Sequence, residues 1–272
     1  SKGLKMIRLW TYVIILLSTT FAHAEILFEG YYRIEREGKH TGYVIQRYEY
    51  DAKNKNRTIT TYQRRLQGED FSESITKSIS KDSTTDKGLQ FFTPVSVNYT
   101  SNETSVRVRV NSTFKSPTKA NVEIYFNNEK KPSDVKTEEG SKGSFISNFL
   151  FYIVAKAQGD DLSRLEPKKT IPYEAFAEDD GRFSQGFIHR IADKDASGFK
   201  IIQVADHFSG ETLETFLLPN GDMVGARSSE SVVYLVKDRA AAVGTFEFPQ
   251  NRITEAFGDL PEGKKNSLVA SD

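Results

Sequence analysis

The sequence predicts a mainly β protein, built as one large antiparallel curved sheet or half-barrel with one buried central helix. Apolar and polar residues alternate over many short segments, which is typical of strands with one buried face. Gly-containing turn sequences separate these segments. One apolar run with helical periodicity interrupts them near the middle of the chain. Two β-sandwich subdomains joined by that helix are the alternative, but a helix without a sheet over it would bury its apolar face poorly.

Residues 1–24 have the pattern of a secretory signal peptide. Three basic residues precede an apolar run at 10–17, and Ala22-His23-Ala24 forms a small-x-small cleavage site. The run is shorter than the roughly 20 residues that span a bilayer. We therefore expect a cleaved leader and a periplasmic or secreted (bacterial) protein with no stable membrane span after cleavage. An uncleaved membrane anchor is the alternative.

Composition narrows the function classes. The 272 residues include 37 Lys+Arg, 37 Asp+Glu and no Cys. Residues 1–24 hold three basic and no acidic residues, so the remainder carries 34 basic and 37 acidic residues, a net charge of −3. This balance disfavours a nucleic-acid partner. The absence of Cys excludes disulfides, thiolate zinc sites and cysteine nucleophiles, and an exported protein without disulfides fits a bacterial periplasm.

The earliest strands form the best-defined hairpin. Its arms at 28–36 and 42–50 flank Gly38, which permits the positive φ of a tight turn. Both arms are rich in Tyr, so we expect a sheet with one wet face. In 71–79, three apolar residues share one face and four small hydroxyl residues share the other. We expect the apolar face, with Phe71 and Ile75, to point inward and the hydroxyls to point outward.

Later segments continue the pattern. Val106, Val108 and Val110 alternate with two Arg, and a second hairpin joins 200–207 to 212–218. A Pro-Asn-Gly-Asp turn at 219–222 carries a strong hairpin signal. Together these segments predict about a dozen strands, as in a large all-β sheet, sandwich or barrel.

Three segments break the strand pattern within a single predicted β-rich domain at 25–257. Residues 128–143 are charged and contain one aliphatic residue, so we expect a surface loop. Residues 144–157 predict a buried helix, because their apolar residues fall on one helical face. Residues 258–272 contain Pro, Gly and Lys and predict a flexible tail.

The predicted helix also supplies the candidate ligand-binding residues. A curved sheet with an apolar inner face leaves a cavity wherever a helix does not fill it, and such a cavity suits an acyl chain. We expect Phe145, Phe149, Tyr152 and Ile153 to line this cavity. If the helix packs tightly, the same residues form an ordinary core.

Residue patterns for catalysis are sparse. His40, His189 and His207 lack metal-ligand spacing, and no G-x-S-x-G elbow is present. His189 with Asp193, or His207 with Asp206, would complete a dyad only with an unspecified Ser. Residues 178–180, Glu-Asp-Asp, precede Gly181 and predict a β-turn. We therefore expect no catalytic residues, no metal and no cofactor.

Four arginines allow a basic surface. Arg107 and Arg109 alternate on one strand, and Arg64 and Arg65 lie on another. A stripe of this kind would favour lipid headgroups or glycan phosphates. A solvated outer face is the simpler interpretation, because charges are the default there.

Three motifs carry a family resemblance. They are the Tyr-rich hairpin at 31–43, the central helix followed by Lys-Lys-Thr-Ile-Pro-Tyr within 144–173, and Leu-Pro-Asn-Gly-Asp-Met-Val at 218–224. With these motifs the chain resembles uncharacterised bacterial periplasmic β-rich proteins, which are similar in outline to Lol-type lipoprotein carriers. The resemblance implies an open half-barrel with an apolar concavity closed by a helix, and it transfers no functional residue.

Three functions are compatible with these patterns. The first is a non-catalytic periplasmic binding or carrier protein for an apolar or amphipathic ligand, such as a lipid or a lipoprotein acyl chain. The second is an envelope structural module that binds another protein through a sheet edge or the Tyr-rich hairpin. A secreted hydrolase is the third and the least supported.

Overall fold

The computed structural model describes residues 24–85, 88–127, 129–141, 144–196 and 199–269. The predicted signal peptide at 1–24 lies outside this range except for Ala24. Within the described part of the chain, no helix is both long enough and apolar enough to cross a membrane.

Fifteen strands are formed by the described residues. They are β1 (Glu25–Arg36), β2 (Lys39–Asp51), β3 (Asn56–Gln67), β4 (Asp70–Asp82), β5 (Phe92–Asn102), β6 (Arg107–Ser116), β7 (Lys119–Phe126), β8 (Glu129–Glu139), β9 (Phe145–Ile146), β10 (Thr170–Ala177), β11 (Arg182–Ala196), β12 (Phe199–Phe208), β13 (Glu211–Leu217), β14 (Met223–Arg227) and β15 (Val232–Val236). The α-helices are α1 (Leu150–Ala157), α2 (Arg239–Val243) and α3 (Gln250–Phe257), and 3-10 turns span Ser147–Phe149 and Leu162–Arg164.

All fifteen strands belong to one sheet, in the order β8-β7-β6-β5-β4-β3-β2-β1-β15-β14-β13-β12-β11-β10-β9. Neighbours are antiparallel except β9, which pairs parallel to β10. The pairing of β1 with β15 joins an N-terminal arm (β1–β8) to a C-terminal arm (β9–β15). The predicted large curved sheet is confirmed, and the two-sandwich alternative is not the observed arrangement.

The sheet curls until its two arms face each other. The Phe114 ring of β6 contacts the Phe176 ring of β10 in an edge-to-face geometry, with ring centroids 4.9 Å apart. Gly181, in the β10–β11 turn, lies against Val110 and Val122 of the opposite arm. This close approach has no space for a Cβ, so it requires Gly.

Helix α1 fills part of the interior of this curl. Phe149, in the 3-10 turn before it, contacts the rings of Tyr48 and Phe92 at 6.2 and 5.7 Å between centroids. The helix predicted at 144–157 is observed only over 150–157. Phe145 and Ile146 instead pair with Ala175 and Phe176, because an apolar dipeptide beside an unpaired strand satisfies its backbone in the sheet.

The predicted surface loop at 128–143 is wrong, because residues 129–139 form strand β8. This strand pairs with β7, from Lys119 opposite Glu139 to Phe126 opposite Glu129. Charge and scarce aliphatic residues are normal for an edge strand, whose hydrogen bonds come from the backbone. The low hydrophobicity of this segment is therefore explained by its position at the edge of the sheet and did not indicate a loop.

Residues 238–266, the C-terminal segment, cover the outer face of the N-terminal strands. Instead of the predicted flexible tail, the described residues from 258 onward contact β1. The backbone N–H of Glu29 donates to the Lys265 carbonyl at 2.8 Å, and Asn266 is buried. The Tyr31 hydroxyl donates to the Pro261 carbonyl at 2.7 Å.

The C-terminal segment also explains where three of the twelve tyrosines lie. Tyr31, Tyr43 and Tyr62 project from the outer face of β1–β3 and are at most 1% exposed. They form an outer apolar cluster with Ile253 and Phe257 of α3. The prediction that the Tyr-rich hairpin has a solvent-exposed face is therefore wrong, since the C-terminal segment covers that face.

Candidate binding site

The four predicted cavity-lining residues lie together in the interior core. Phe145, Phe149 and Ile153 are at most 1% exposed, and the Phe145 ring contacts the Tyr173 ring at 5.7 Å between centroids. Tyr152 is half-buried and donates from its hydroxyl to Asp222 Oδ1 at 3.0 Å. These residues line neither of the two clefts described below. Their contact with an apolar ligand stays a prediction.

Asp222 belongs to the predicted Pro-Asn-Gly-Asp turn, which packs against α1. Gly221 lies against the Phe151 carbonyl, and burial raises the pKa of the Asp222 carboxyl while Tyr152 and Asn220 lower it by hydrogen bonding. Burial and the nearby Asp222 charge raise the pKa of the Tyr152 hydroxyl well above 10. The turn therefore closes over the helix.

Strand β4 is oriented opposite to the prediction. Phe71 and Ile75 lie on the outer face, where Phe71 contacts the Phe246 ring at 5.6 Å between centroids and Ile75 joins the outer apolar cluster. Ser72, Ser74 and Thr76 point into the curl of the sheet. The predicted alternation of apolar and hydroxyl residues is present, but the prediction of which face points inward was wrong. The apolar face is the outer one, because the C-terminal segment buries it.

A polar cleft of about 380 Å³ lies above these inward hydroxyls. Its floor is the inner face of β3, β4 and β5, and the β10–β11 and β12–β13 turns close it from the opposite arm. Hydroxyl and amide groups dominate the floor, which contains Gln63, Ser72, Ser74, Thr76, Tyr99 and Ser101. The remaining lining residues are Arg65, Glu73, Glu103, Asn148, Glu178, Asp179 and Glu211.

Several floor groups lack partners. Within the described residues, no side-chain hydrogen bond is formed by Gln63, Ser72, Ser74 or Thr76. Ser72 is only 9% exposed, so most of its surface is removed from bulk water. The Ser72 hydroxyl oxygen is not among the fully buried unpaired atoms, so it remains accessible from the cleft to water or to a ligand.

Glu178 connects the cleft to the start of α1. It follows β10, is buried, and accepts hydrogen bonds from the Ser147 hydroxyl and, at 2.8 Å, from the Asn148 backbone N–H. The Asn148 side-chain amide donates to Ser78 Oγ at 3.1 Å. Burial raises the Glu178 pKa to about 7, although the bonds from Ser147 and Asn148 act in the opposite direction. Glu178 thus positions Asn148 at the cleft.

The rim of the cleft is acidic. Glu103, Asp179 and Glu211 are exposed there or partly so, and Arg65 is the cation among the lining residues. Burial, and then the neighbouring Asp180 charge, raise the Asp179 pKa. The predicted turn at 178–180 is present, because the Gly181 N–H donates to the Ala177 carbonyl at 2.9 Å and Gly181 has φ +62°.

Sequence reasoning missed this cleft although its signal was present. The even positions from Ser72 to Ser80 are all Ser or Thr and include no charged residue. A solvent-facing strand usually carries Lys or Glu on its wet face. The uncharged hydroxyl row therefore indicated an enclosed polar surface.

The histidines do not assemble a catalytic or metal site in the described residues. The His207 ring stacks on the Phe187 ring at 4.4 Å between centroids and lies 5.8 Å from the His189 ring, near a second cleft of about 400 Å³ at the β12–β13 turn.

The possible acidic partners of these histidines do not form dyads in the described residues. Asp206 accepts a hydrogen bond from the Tyr173 hydroxyl, on the opposite face from His207. The Asp193 side chain lies outside the described part. His40 contacts the Phe246 ring at 4.6 Å. No group of three metal-ligating residues forms among the residues described.

The four arginines considered as a possible basic stripe divide between two faces. Arg65 lines the cleft, whereas Arg64 lies outside and pairs with Glu247 at 2.6 Å. Arg109 lies over the Tyr125 ring at 4.1 Å. A continuous basic surface is therefore not formed by these residues.

Comparison with known proteins identifies the architecture. No family model matches the chain, and no curated protein matches it. Among solved structures, it is similar to a β-barrel-like protein of a domain of unknown function, DUF1849, from Brucella abortus. The two chains are 12% identical with a TM-score of 0.52, over 78% of this chain and 97% of that chain. This similarity supports a β-rich, barrel-like fold, and a relation to Lol-type carriers stays a prediction.

Proposed function

We propose that this chain is a non-catalytic binding protein of a bacterial cell envelope, with its ligand held in the polar cleft inside the curved sheet. The observation that carries the proposal is the concave floor of hydroxyl and amide groups, several of which have no side-chain hydrogen bond among the described residues. Binding sites are concave and place a few polar groups so that they converge on the ligand.

The location follows from the N-terminal pattern. A positive region, an apolar run and a small-x-small site support export, and the lack of Cys suits a periplasm. The bacterial source of the structural neighbour is consistent with this location. A binding protein placed there meets envelope glycans, lipids and other envelope proteins.

A lipid or acyl-chain carrier is the second candidate. The observation that favours it is the large apolar cluster around α1, whose exposed side includes the half-buried Phe151 and Tyr152. An acyl chain would have to displace α1 or the turn at 219–222, because Phe149 and Ile153 are fully buried against the sheet. The polar cleft needs no such movement, so it is the better supported site.

Native mass spectrometry of the chain exported to a bacterial periplasm tests the proposal. Thr76→Trp fills the cleft floor, and Thr113→Trp is the matched control on an exposed position of β6. We expect a bound polar compound in the wild type and in Thr113→Trp, and its loss from Thr76→Trp. Thermal unfolding of both variants checks that each is folded.

Two outcomes would overturn the proposed site. A lipid mass that survives in Thr76→Trp and is removed by organic extraction would move the ligand to α1. A ligand-free mass for every variant would shift the weight to an envelope protein as the partner.

A further inference from the structure

The cleft floor is a regular polar grid across three strands. Ser74 of β4 lies opposite Gln63 of β3 and opposite Ser101 of β5. Strands are about 4.8 Å apart, and same-face residues along one strand are about 6.8 Å apart. The floor therefore offers hydrogen-bonding groups at repeated short intervals in two directions.

The adjacent rows extend this grid. Thr76 lies opposite Tyr99, and Ser72 lies opposite Arg65. The Tyr99 ring supplies an amphipathic surface with an apolar face, beside hydroxyls that both donate and accept hydrogen bonds. An occupant that matches this floor must carry many groups that donate and accept, together with some C–H surface.

Charge narrows the class of occupant. Glu103, Asp179 and Glu211 at the rim outnumber Arg65, so the cleft repels phosphates and other anions. An acyl chain would leave the hydroxyl and amide groups of the floor unpaired, which disfavours it. A hydroxyl-rich neutral ligand satisfies the floor and is not repelled by the rim.

Ser72 gives independent support for an occupant. Its side chain lies in the cleft, is about nine-tenths buried, and has no hydrogen-bond partner among the described residues. Its hydroxyl oxygen is not among the fully buried unpaired atoms, so it remains accessible from the cleft to a ligand hydroxyl that accepts from it and donates to it.

We infer that the cleft binds a carbohydrate, with the floor hydroxyls of Ser72, Ser74 and Thr76 and the Gln63 amide bonding sugar hydroxyls and the Tyr99 ring packing on a sugar face. The inference rests on the proposed function and names the ligand class of the same cleft. The acidic rim then favours neutral sugars and amino sugars over phosphorylated or uronic-acid sugars.

Calorimetric titration of the full exported chain tests this inference. The probes are di- and tetrasaccharides of N-acetylglucosamine and of glucose, with inorganic phosphate, spermidine and dodecanoate for comparison. We expect at least one oligosaccharide to bind. Ser72→Ala with Ser74→Ala should weaken binding at least tenfold, Thr76→Trp should abolish it, and the exposed control Thr113→Trp should leave it unchanged.

The outcomes separate the ligand class from the site. If no sugar binds the wild type, the carbohydrate inference is overturned. If spermidine then binds the wild type but not Thr76→Trp, the proposed function still stands. Sugar binding that survives unchanged in Thr76→Trp and in the double Ser variant overturns the assigned site. If every probe that binds the wild type also binds each cleft variant equally well, the result counts against both the carbohydrate inference and the proposed function.

Discussion

The two faces of β3 and β4 have different surroundings: the outer face is covered by the C-terminal segment, and part of the inner face lines the cleft. On the outer face, Tyr62 and Phe71 lie beneath the C-terminal segment, and the Tyr62 hydroxyl donates to Glu73. On the inner face, Ser72 and Ser74 line an open cleft without side-chain partners in the described chain. The outer-face residues pack against a second layer, whereas Ser72 and Ser74 border open space. This contrast motivates the proposal that the outer face serves stability and this part of the inner face serves binding.

The outer face depends on charges as well as rings. Arg47, 2% exposed, donates to Glu29 and Asp259 and to the Phe257 carbonyl at 3.1 Å. Glu29 also accepts a bond from the Gly263 N–H. One buried ion pair therefore fastens strands β1 and β2 to the C-terminal segment.

The largest expected effect on stability comes from removing this buried ion pair. Arg47→Ala should lower the free energy of unfolding by about 3 to 5 kcal/mol, because Glu29 is left buried without its counter-charge. Urea unfolding measures the change. Arg33→Ala, which removes a partly exposed pair with Glu35, should cost under about 1 kcal/mol. Equal losses in both variants would contradict the distinction between a buried and a surface pair.

The next effect tests the inner face and depends on pH. The raised pKa of Glu178 means that the fold prefers its protonated form. Its stabilising contribution is therefore complete below pH 4.5, the ordinary value, and is lost as pH rises through about 7. Glu178→Gln should match the wild type near pH 4 and exceed it by up to about 3 kcal/mol at pH 8.

Urea unfolding between pH 4 and pH 8 checks this difference. Glu211→Gln is the control, since Glu211 is an exposed carboxyl at the same cleft. A stability difference between wild type and Glu178→Gln that stays constant over this range would show that burial does not control the Glu178 carboxyl.

A smaller effect is expected for one hydroxyl of the outer face. Tyr31→Phe removes the donor to the Pro261 carbonyl and should cost about 1 kcal/mol. Amide hydrogen exchange should accelerate in residues 259–266 before it does in β1 and β2. Uniform acceleration along the chain would mean that the C-terminal segment does not open as a separate unit.

The smallest effect on stability belongs to the cleft floor. Ser74→Ala removes a hydroxyl that has no hydrogen-bond partner among the described residues, so the unfolding free energy should change by less than about 0.5 kcal/mol. Thermal and urea unfolding of the ligand-free protein measure it. A loss above about 1 kcal/mol would show that the hydroxyl serves the fold, and the comparison between the two faces would fail.

Much of the fold could be predicted because its signals are local. The hairpin around Gly38 and the β-turn before Gly181 are encoded by positive-φ residues and flanking alternation. The apolar run near 150 forms a buried helix because its apolar residues recur at helical spacing. Strand β8 escaped prediction because an edge strand needs backbone partners more than apolar side chains.

The candidate site could not be predicted because it is assembled from distant segments. Ser74 and Glu178 meet only after the two arms of the sheet curl together. Their residue types were visible, and the turn predicted at 178–180 is present, but nothing in the sequence showed that Glu178 is buried beside Ser74. The wet face predicted for Ser74 was wrong, because the strand pattern does not say which face is inside.

The sequence alone determined most of the strands, their alternating faces and the buried central helix, since these depend on residues close together in the chain. The tertiary structure decided which face of β4 is interior, that β8 is an edge, and that the last residues cover Tyr31 and Tyr43. Alternation in a strand has period two and distinguishes its two faces, but it carries no direction. Direction comes from the layer that packs on each face, and here Arg64 contacts that layer at Glu247, 183 residues further along the chain.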